Sequence, residues 1–385
     1  MLGDEGAPQR VHSKDDAEEA REDRGEGLSP STKLISHNPL FGPMRMNDVL
    51  DRWAEEGGRR GAMRRILRAL KNTGDFWEVV ALSEETVPEV ARAIDFLGSQ
   101  GLVAVEDDVI KWKVDISGEL DAIPDNLCPR CGGRGVLPRA YVGLVDRFVK
   151  IARDRPGVKR DYDQASMNAE SVWARVAFIE MRDSLKGSRI LIIGDDDLTS
   201  IALGLTGKPE RITVVEIDPE LTAFIEGVAE RESLPIETVT LDIREPLPED
   251  LKRSFDIFST EPSETLDALK VFVGRGISAL KGEGASGYVG LTRREASLPK
   301  WQAFERMLLD DFSVVITDVV RNFTEYTHWG YFEETRAFSL TPVRTLPKRP
   351  WYHSYLIRFE LLDTSRGFEE VYTEDFYSDE ESSTT

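Results

Sequence analysis

Only two cysteines occur in 385 residues, both in the stretch NLCPRCGGRG (Cys128, Cys131). Tetrahedral zinc usually takes four thiolate or imidazole ligands. A second CxxC is missing, and His12, His37, His328 and His353 all lie far from the pair. The CPxCGG knuckle is therefore half of a zinc ribbon. It leaves three readings: a metal half-site shared across a dimer, a disulfide, or a glycine-rich turn with free thiols. A thioredoxin-type redox centre is not expected, because the strand and helix that would flank its cysteines are absent.

Long apolar runs are also missing. None approaches the roughly 18–20 residues that span a bilayer, and the N-terminus MLGDEGAPQRVHSKDD lacks the basic-then-apolar layout of a signal peptide. A soluble cytoplasmic protein is expected. Positive charge is short: 49 Lys and Arg face 70 Asp and Glu, a formal charge of −21. Such a chain is repelled by nucleic-acid phosphates and attracts cations. Asn and Gln are scarce while charged residues reach 31%, a balance compatible with a thermophile.

What is present divides into segments. Residues 1–44 are charged, poor in large apolar side chains, and read as disordered or irregular. Over residues 45–120 a helical period runs through MNDVLDRWAEEG and GAMRRILRALKNTG. A short helix, a longer one from Val87 to Leu97 and two β-like runs around Glu106–Asp108 follow, the order of a winged helix. The helix that would read DNA carries Arg92 against Glu89 and Asp95, and the wing turn is acidic. A docking or dimerisation module is expected there, not nucleic-acid binding. The CPxCGG element and a helix from about Leu144 to Asp154 form a linker over 121–160.

From 161 to 365 strands alternate with helices of 10–18 residues, beginning at RILIIG. That pattern means a parallel sheet covered on both faces, with two late β runs as an antiparallel edge. The expected fold class is α/β: a Rossmann-like, S-adenosylmethionine-type seven-stranded sheet domain behind an N-terminal winged helix. Residues 366–385 form an acidic tail, read as solvated or, alternatively, as a flap over the site.

Ligands of such sheets sit at the carboxyl ends of the strands, at the switch point. Four of those ends carry acids: Asp195, Asp196 and Asp197 after Gly194; Glu216 and Asp218 in VVEID; Asp242 in LDI; Glu261 in STEPSET. A phosphate would be repelled by the first group. Glu216 lies 22 residues beyond Gly194, close to the spacing of an acid that binds a ribose diol, and Asp242 fits an exocyclic adenine amine. Adenosine bearing a sulfonium suits this rim better than a dinucleotide, because a cation replaces the diphosphate.

GDDDLTS after a hydrophobic strand, joined to a winged helix and a CPxCGG element, resembles the archaeal and bacterial branched-chain polyamine synthases from about residue 45 onward. The resemblance implies a catalytic domain like that of spermidine synthases. It implies transfer of aminopropyl groups from decarboxylated S-adenosylmethionine to the internal nitrogen of spermidine, releasing 5′-methylthioadenosine, with no further cofactor and with a homodimer. It also implies that the motif's aspartates lie between donor and acceptor. Asp197 takes the catalytic role, with Asp195 or Asp196 as the other possibilities. Gly194, Asp195, Glu216, Asp218 and Asp242 form the donor side. Asp196 and Glu261 are placed on the acceptor side. The aromatic residues of HWGYFEE and RPWYHSY, Trp329, Tyr331, Trp351 and Tyr352, either cage the cation through their π faces, Trp329 and Tyr331 on the acceptor side, or pack in the core. Thr260-Glu261-Pro262-Ser263 stands where amine-modifying methyltransferases carry an Asp/Asn-Pro-Pro motif. The alternatives are an S-adenosylmethionine-dependent methyltransferase, whose acceptor site need not be so acidic, and a polyamine-sensing winged-helix regulator.

Overall fold

The computed structural model describes residues 46–115, 134–327 and 329–384; Cys128, Cys131 and the first 45 residues lie outside them. At the N-terminal end, helices α1 (Met46–Glu55), α2 (Arg60–Asn72), α3 (Phe76–Ser83) and α4 (Val87–Ser99) precede a hairpin of β1 (Val103–Glu106) and β2 (Val109–Trp112). Local chemistry sets these boundaries. Asp75 accepts from the N–H groups of Trp77 and Glu78 at the start of α3, and Thr86 caps α4 ahead of a proline in its first turn. Such caps are each worth about 1 kcal/mol.

The element order is the one expected for a winged helix; α4 buries one face and leaves Arg92, Asp95, Gly98 and Ser99 exposed. It packs against α11 (Arg336–Leu340) of the following domain. Arg92 spends its charge over the Trp53 ring, 4.2 Å from the centroid, and on Glu89 at 2.9 Å.

Helices α5 (Val142–Ala152) and α6 (Ala169–Arg182) lead into a seven-stranded sheet ordered β5-β4-β3-β6-β7-β9-β8. Its strands are β3 (Arg189–Ile193), β4 (Arg211–Glu216), β5 (Ile236–Thr240), β6 (Ile257–Thr260), β7 (Ser286–Thr292), β8 (Val314–Glu325) and β9 (His353–Leu361). Strands β3 to β7 are parallel, and β9 runs antiparallel between β7 and β8. Four of the five β3 residues are buried, as a strand covered on both faces requires, whereas the edge strand β8 alternates toward solvent. The crossovers are α7 (Thr199–Leu205), α8 (Pro219–Glu232) and α9 (Leu266–Ala279), with α10 (Leu298–Arg306) after β7. No described helix is long and apolar enough to cross a membrane.

The chain winds outward from β3 through β4 to β5, then returns to lay β6 on the other side of β3. The crevice between the carboxyl ends of β3 and β6 is thus the switch point where such sheets bind ligands. The acidic tail leaves most of its acids exposed but anchors itself on the sheet domain at a few residues. Phe376 is buried against Phe272 and flanked by Tyr372 and Tyr377, and Thr265 Oγ1 donates to its carbonyl at 2.6 Å. Aromatic residues set among the acids bring the tail back onto the sheet domain, because burying each removes apolar surface from water.

Candidate functional site

A crevice of about 840 Å³, part of it open to solvent, lies over the switch point. It is lined by Ile193 and Gly194 at the end of β3, Glu216 and Ile217 at the end of β4, and Glu261 to Glu264 after β6. Gly194 turns with φ +72°, a conformation that costs a glycine little. Leu198 takes the same left-handed region at +59° just before α7, so the GDDD loop is folded back tightly across the strand ends.

The three aspartates of that loop have different surroundings. Asp195 is fully buried and works locally: Ser200 donates to it from both N–H and Oγ. Burial pushes its carboxyl well above the ordinary range, and the Ser200 hydrogen bonds offset part of that. Asp196 lines the crevice and accepts from Ala165 N–H at 2.7 Å, while Arg155 Nη1 holds its carbonyl oxygen at 2.7 Å. Asp197 sits immediately behind, 7% exposed, accepting from Met167 N–H at 2.6 Å. Burial lifts its carboxyl to about 6, against the lowering effects of that N–H and of the Arg175 and Arg155 charges.

Glu216 lines the crevice and braces the loop. Its Oε2 accepts from Asp195 N–H at 3.0 Å and its Oε1 from the N–H groups of Ile217 and Asp218. A carboxylate offers about four lone-pair sites, so a ribose hydroxyl can add to these three contacts. Asp218 caps α8 and pairs with Lys159 at 2.7 Å; Asp242 is held by Arg244 at 2.6 Å. Neither lines the crevice; Leu241 and Ile243, the neighbours of Asp242, supply an apolar wall there.

On the other side of the switch point Glu261 has partners already. Arg175, Tyr326 Oη and Ser354 Oγ converge on its carboxylate. A Cβ at Gly290 on the adjacent β7 would overlap that carboxylate. Gly290→Ala should therefore push Glu261 off its partners. Displacements of about 1 Å at a reacting site cost up to about 10²-fold, so kcat/KM is expected to fall toward that limit; an unchanged value would show that the position of Glu261 is immaterial.

Three further carboxylates gather at the same end and were not singled out by sequence reasoning: Asp163, Glu264 and Glu295. Tyr352 Oη lies 3.0 Å from Glu264 Oε1 and 2.9 Å from Glu295 Oε2. One hydroxyl proton cannot serve two carboxylates, so the cluster favours an added proton or cation. Burial and the Glu295 charge raise Asp163 to about 8, and burial with the charges of Glu295 and Asp163 raises Glu264 well above its ordinary value. Trp329, Tyr326 and Tyr352 wall this end. Tyr331 lies outside the lining with its hydroxyl on the Gln164 carbonyl, and Trp351 is buried in the core behind.

The tail supplies part of the crevice wall. Ser383 and Thr384 both bring N–H and hydroxyl groups onto Glu295, Tyr377 and Thr384 line the opening, and Lys300 fixes Asp379 at 2.7 Å. Strand-end spacing gives no signal for Asp163, which precedes the first strand of the domain; Glu295 follows β7 by three residues, as Asp196 follows β3, so the same signal could have found it.

Fold and site together define a Rossmann-like domain of the S-adenosylmethionine type with an anionic ligand crevice. The sequence profile of the branched-chain polyamine synthase A C-terminal domain matches residues 143–384, and the chain belongs to the branched-chain polyamine synthase family. It is 48% identical to N(4)-bis(aminopropyl)spermidine synthase of Methanocaldococcus jannaschii over 83% of this chain and 93% of that one. The enzyme of the same name from Thermococcus kodakarensis is 45% identical over the same shares. Among solved structures, the branched-chain polyamine synthase of Thermus thermophilus in complex with N4-aminopropylspermidine and 5′-methylthioadenosine superposes with a TM-score of 0.80. It is 39% identical, and the match covers 88% of this chain and 99% of that one.

Proposed function

We propose that this chain is an aminopropyltransferase. It moves aminopropyl groups from decarboxylated S-adenosylmethionine to the internal nitrogen of spermidine, giving N4-bis(aminopropyl)spermidine and 5′-methylthioadenosine. The observation that carries the reading is the crevice itself: a β4-end glutamate beside an apolar wall suits adenosine, and the carboxylates opposite suit amines. Glu216 holds the ribose, with Leu241 and Ile243 against the adenine. Asp163, Glu264 and the aromatic wall receive the distal ammonium of the acceptor, through charge and through π faces.

The nitrogen lone pair attacks the propyl carbon beside the sulfonium. The C–S bond breaks, its electrons neutralise sulfur, and the secondary amine loses its proton. Asp196 orients the nitrogen and Asp197, with its carboxyl near 6, takes that proton. The second transfer starts from a tertiary amine with no proton to lose, so there the acids contribute position and charge alone. The sulfonium is already a good leaving group, and holding nitrogen, carbon and sulfur in line supplies much of the rate. Incubation with each donor tests the reading: methylthioadenosine from the decarboxylated donor supports it, and S-adenosylhomocysteine from S-adenosylmethionine would replace it with a methyltransferase.

The contacts of Ser383 and Thr384 with Glu295 make the tail part of the acceptor end. Deleting residues 368–385 removes the four hydrogen bonds that Ser383 and Thr384 give to Glu295, and the KM for spermidine should rise by about tenfold or more, since a hydrogen bond to a charged group is worth about 1.5–3 kcal/mol. An unchanged KM would remove the tail from substrate binding.

A further inference from the structure

The geometry points to Trp77, in helix α3 of the N-terminal module, as a positioning residue for the acceptor end of the crevice. The inference rests on the reading that Trp329 and Tyr352 wall the acceptor site. Trp77 is 1% exposed and touches no part of the crevice itself. Its indole N–H donates to the Thr345 carbonyl at 3.1 Å, which fixes the ring plane. Its ring centroid lies 4.8 Å from that of Trp351 and 5.0 Å from that of Phe332. Those two rings in turn support the wall: Trp351 meets Tyr352 edge-on at 5.4 Å, and Phe332 meets Trp329 edge-on at 6.0 Å. Trp329 and Tyr352 close the circuit at 5.7 Å. Trp77 meets Trp351 at a 47° tilt and Phe332 edge-on; close-packed rings of this kind constrain one another's angles, so the placement of Trp77 is passed to both wall residues and, through Tyr352 Oη, to Glu264 and Glu295.

The helix that carries Trp77 is itself bolted to the sheet domain. Arg294, fully buried after β7, donates to the Ala81 carbonyl at 2.8 Å, and Glu84 just beyond the helix meets Tyr355 and Arg321. The donor side, built on Gly194, Glu216 and Leu241, receives none of these contacts. The N-terminal module is on this account a buttress for polyamine recognition.

The split between the two sides provides the test. Binding of spermidine and of 5′-methylthioadenosine is measured by calorimetry on the full chain, with steady-state KM values for both substrates. Trp77→Ala should weaken spermidine binding about tenfold or more and leave methylthioadenosine binding within about twofold. Trp77→Phe, which keeps an aromatic edge, should recover most of the loss. Trp77→Leu serves should the alanine variant not fold, with a smaller shift in the same direction. Equal losses for both ligands, or no change in spermidine affinity, would overturn the role of Trp77. Failure of the wild-type chain to bind spermidine would instead overturn the aminopropyltransferase reading and the inference with it.

Discussion

Asp197→Asn is expected to lower kcat with spermidine by about 10²–10³-fold, within the usual contribution of a positioned base. The substitution is isosteric, and the amide oxygen still accepts from Met167 N–H, so the loop should keep its shape. What disappears is the ability to take a proton. The loss should therefore depend on the acceptor. Spermidine presents a secondary nitrogen with a proton to lose; N4-aminopropylspermidine presents a tertiary one without. With the second acceptor the variant should lose about tenfold at most, from charge alone. Separate kcat measurements on the two acceptors decide the matter, and equal losses would confine Asp197 to an electrostatic role.

The same residue predicts a pH limb. Its carboxyl is raised by burial from an ordinary 3.8 to about 6, so it is protonated, and unable to accept a proton, below that pH. In the wild type, kcat/KM for spermidine should fall as pH drops through about 6, over and above the decline caused by protonation of the amine. In Asp197→Asn only the amine's contribution should remain.

How far the sequence reaches depends on whether a signal is local. The seven strands follow from apolar runs separated by helical spacing, and the switch-point crevice follows from the resulting order. Gly194, Glu216 and Asp196 are legible because strand-end position alone puts them on the rim. The same logic cannot separate a residue that lines the crevice from one that only braces the loops around it. Asp195, Asp218 and Asp242 have the identical signature, and in the folded chain they hold Ser200, the α8 N-terminus with Lys159, and Arg244. Asp163 and Glu295 become neighbours only through the tertiary fold. The tail is ambiguous for another reason: its net charge suggests solvation, and most of its acids are exposed, while a buried ring and the small hydroxyl residues at its end decide where it lies.

Arg175→Met is expected to destabilise the protein strongly and to move the acid limb of its pH profile. Arg175 projects from α6 into the interior at 2% exposure, donates to Thr324 Oγ1 at 3.0 Å, and pairs with Glu261. Truncating one member of a buried ion pair leaves an uncompensated charge, at a cost of about 3–5 kcal/mol. In a domain of this size each kcal/mol corresponds to roughly 2–4 °C, so a drop in Tm of about 10 °C is expected. Arg175→Met combined with Glu261→Gln removes both charges and should recover most of that drop, because the amide can still engage Tyr326 and Ser354. A single variant that melts with the wild type would show that the pair carries no net stability. The functional consequence has a definite sign. The Arg175 cation is one of the influences that lower the Asp197 carboxyl. Without it that carboxyl rises further, and the fall in kcat/KM on acidification should begin at a higher pH than in the wild type. The double variant also lacks the guanidinium, so it should keep the displaced limb even where it regains its Tm. Stability and base strength are then separable readouts of one arginine: the first follows the charge balance with Glu261, the second follows the presence of a cation beside Asp197.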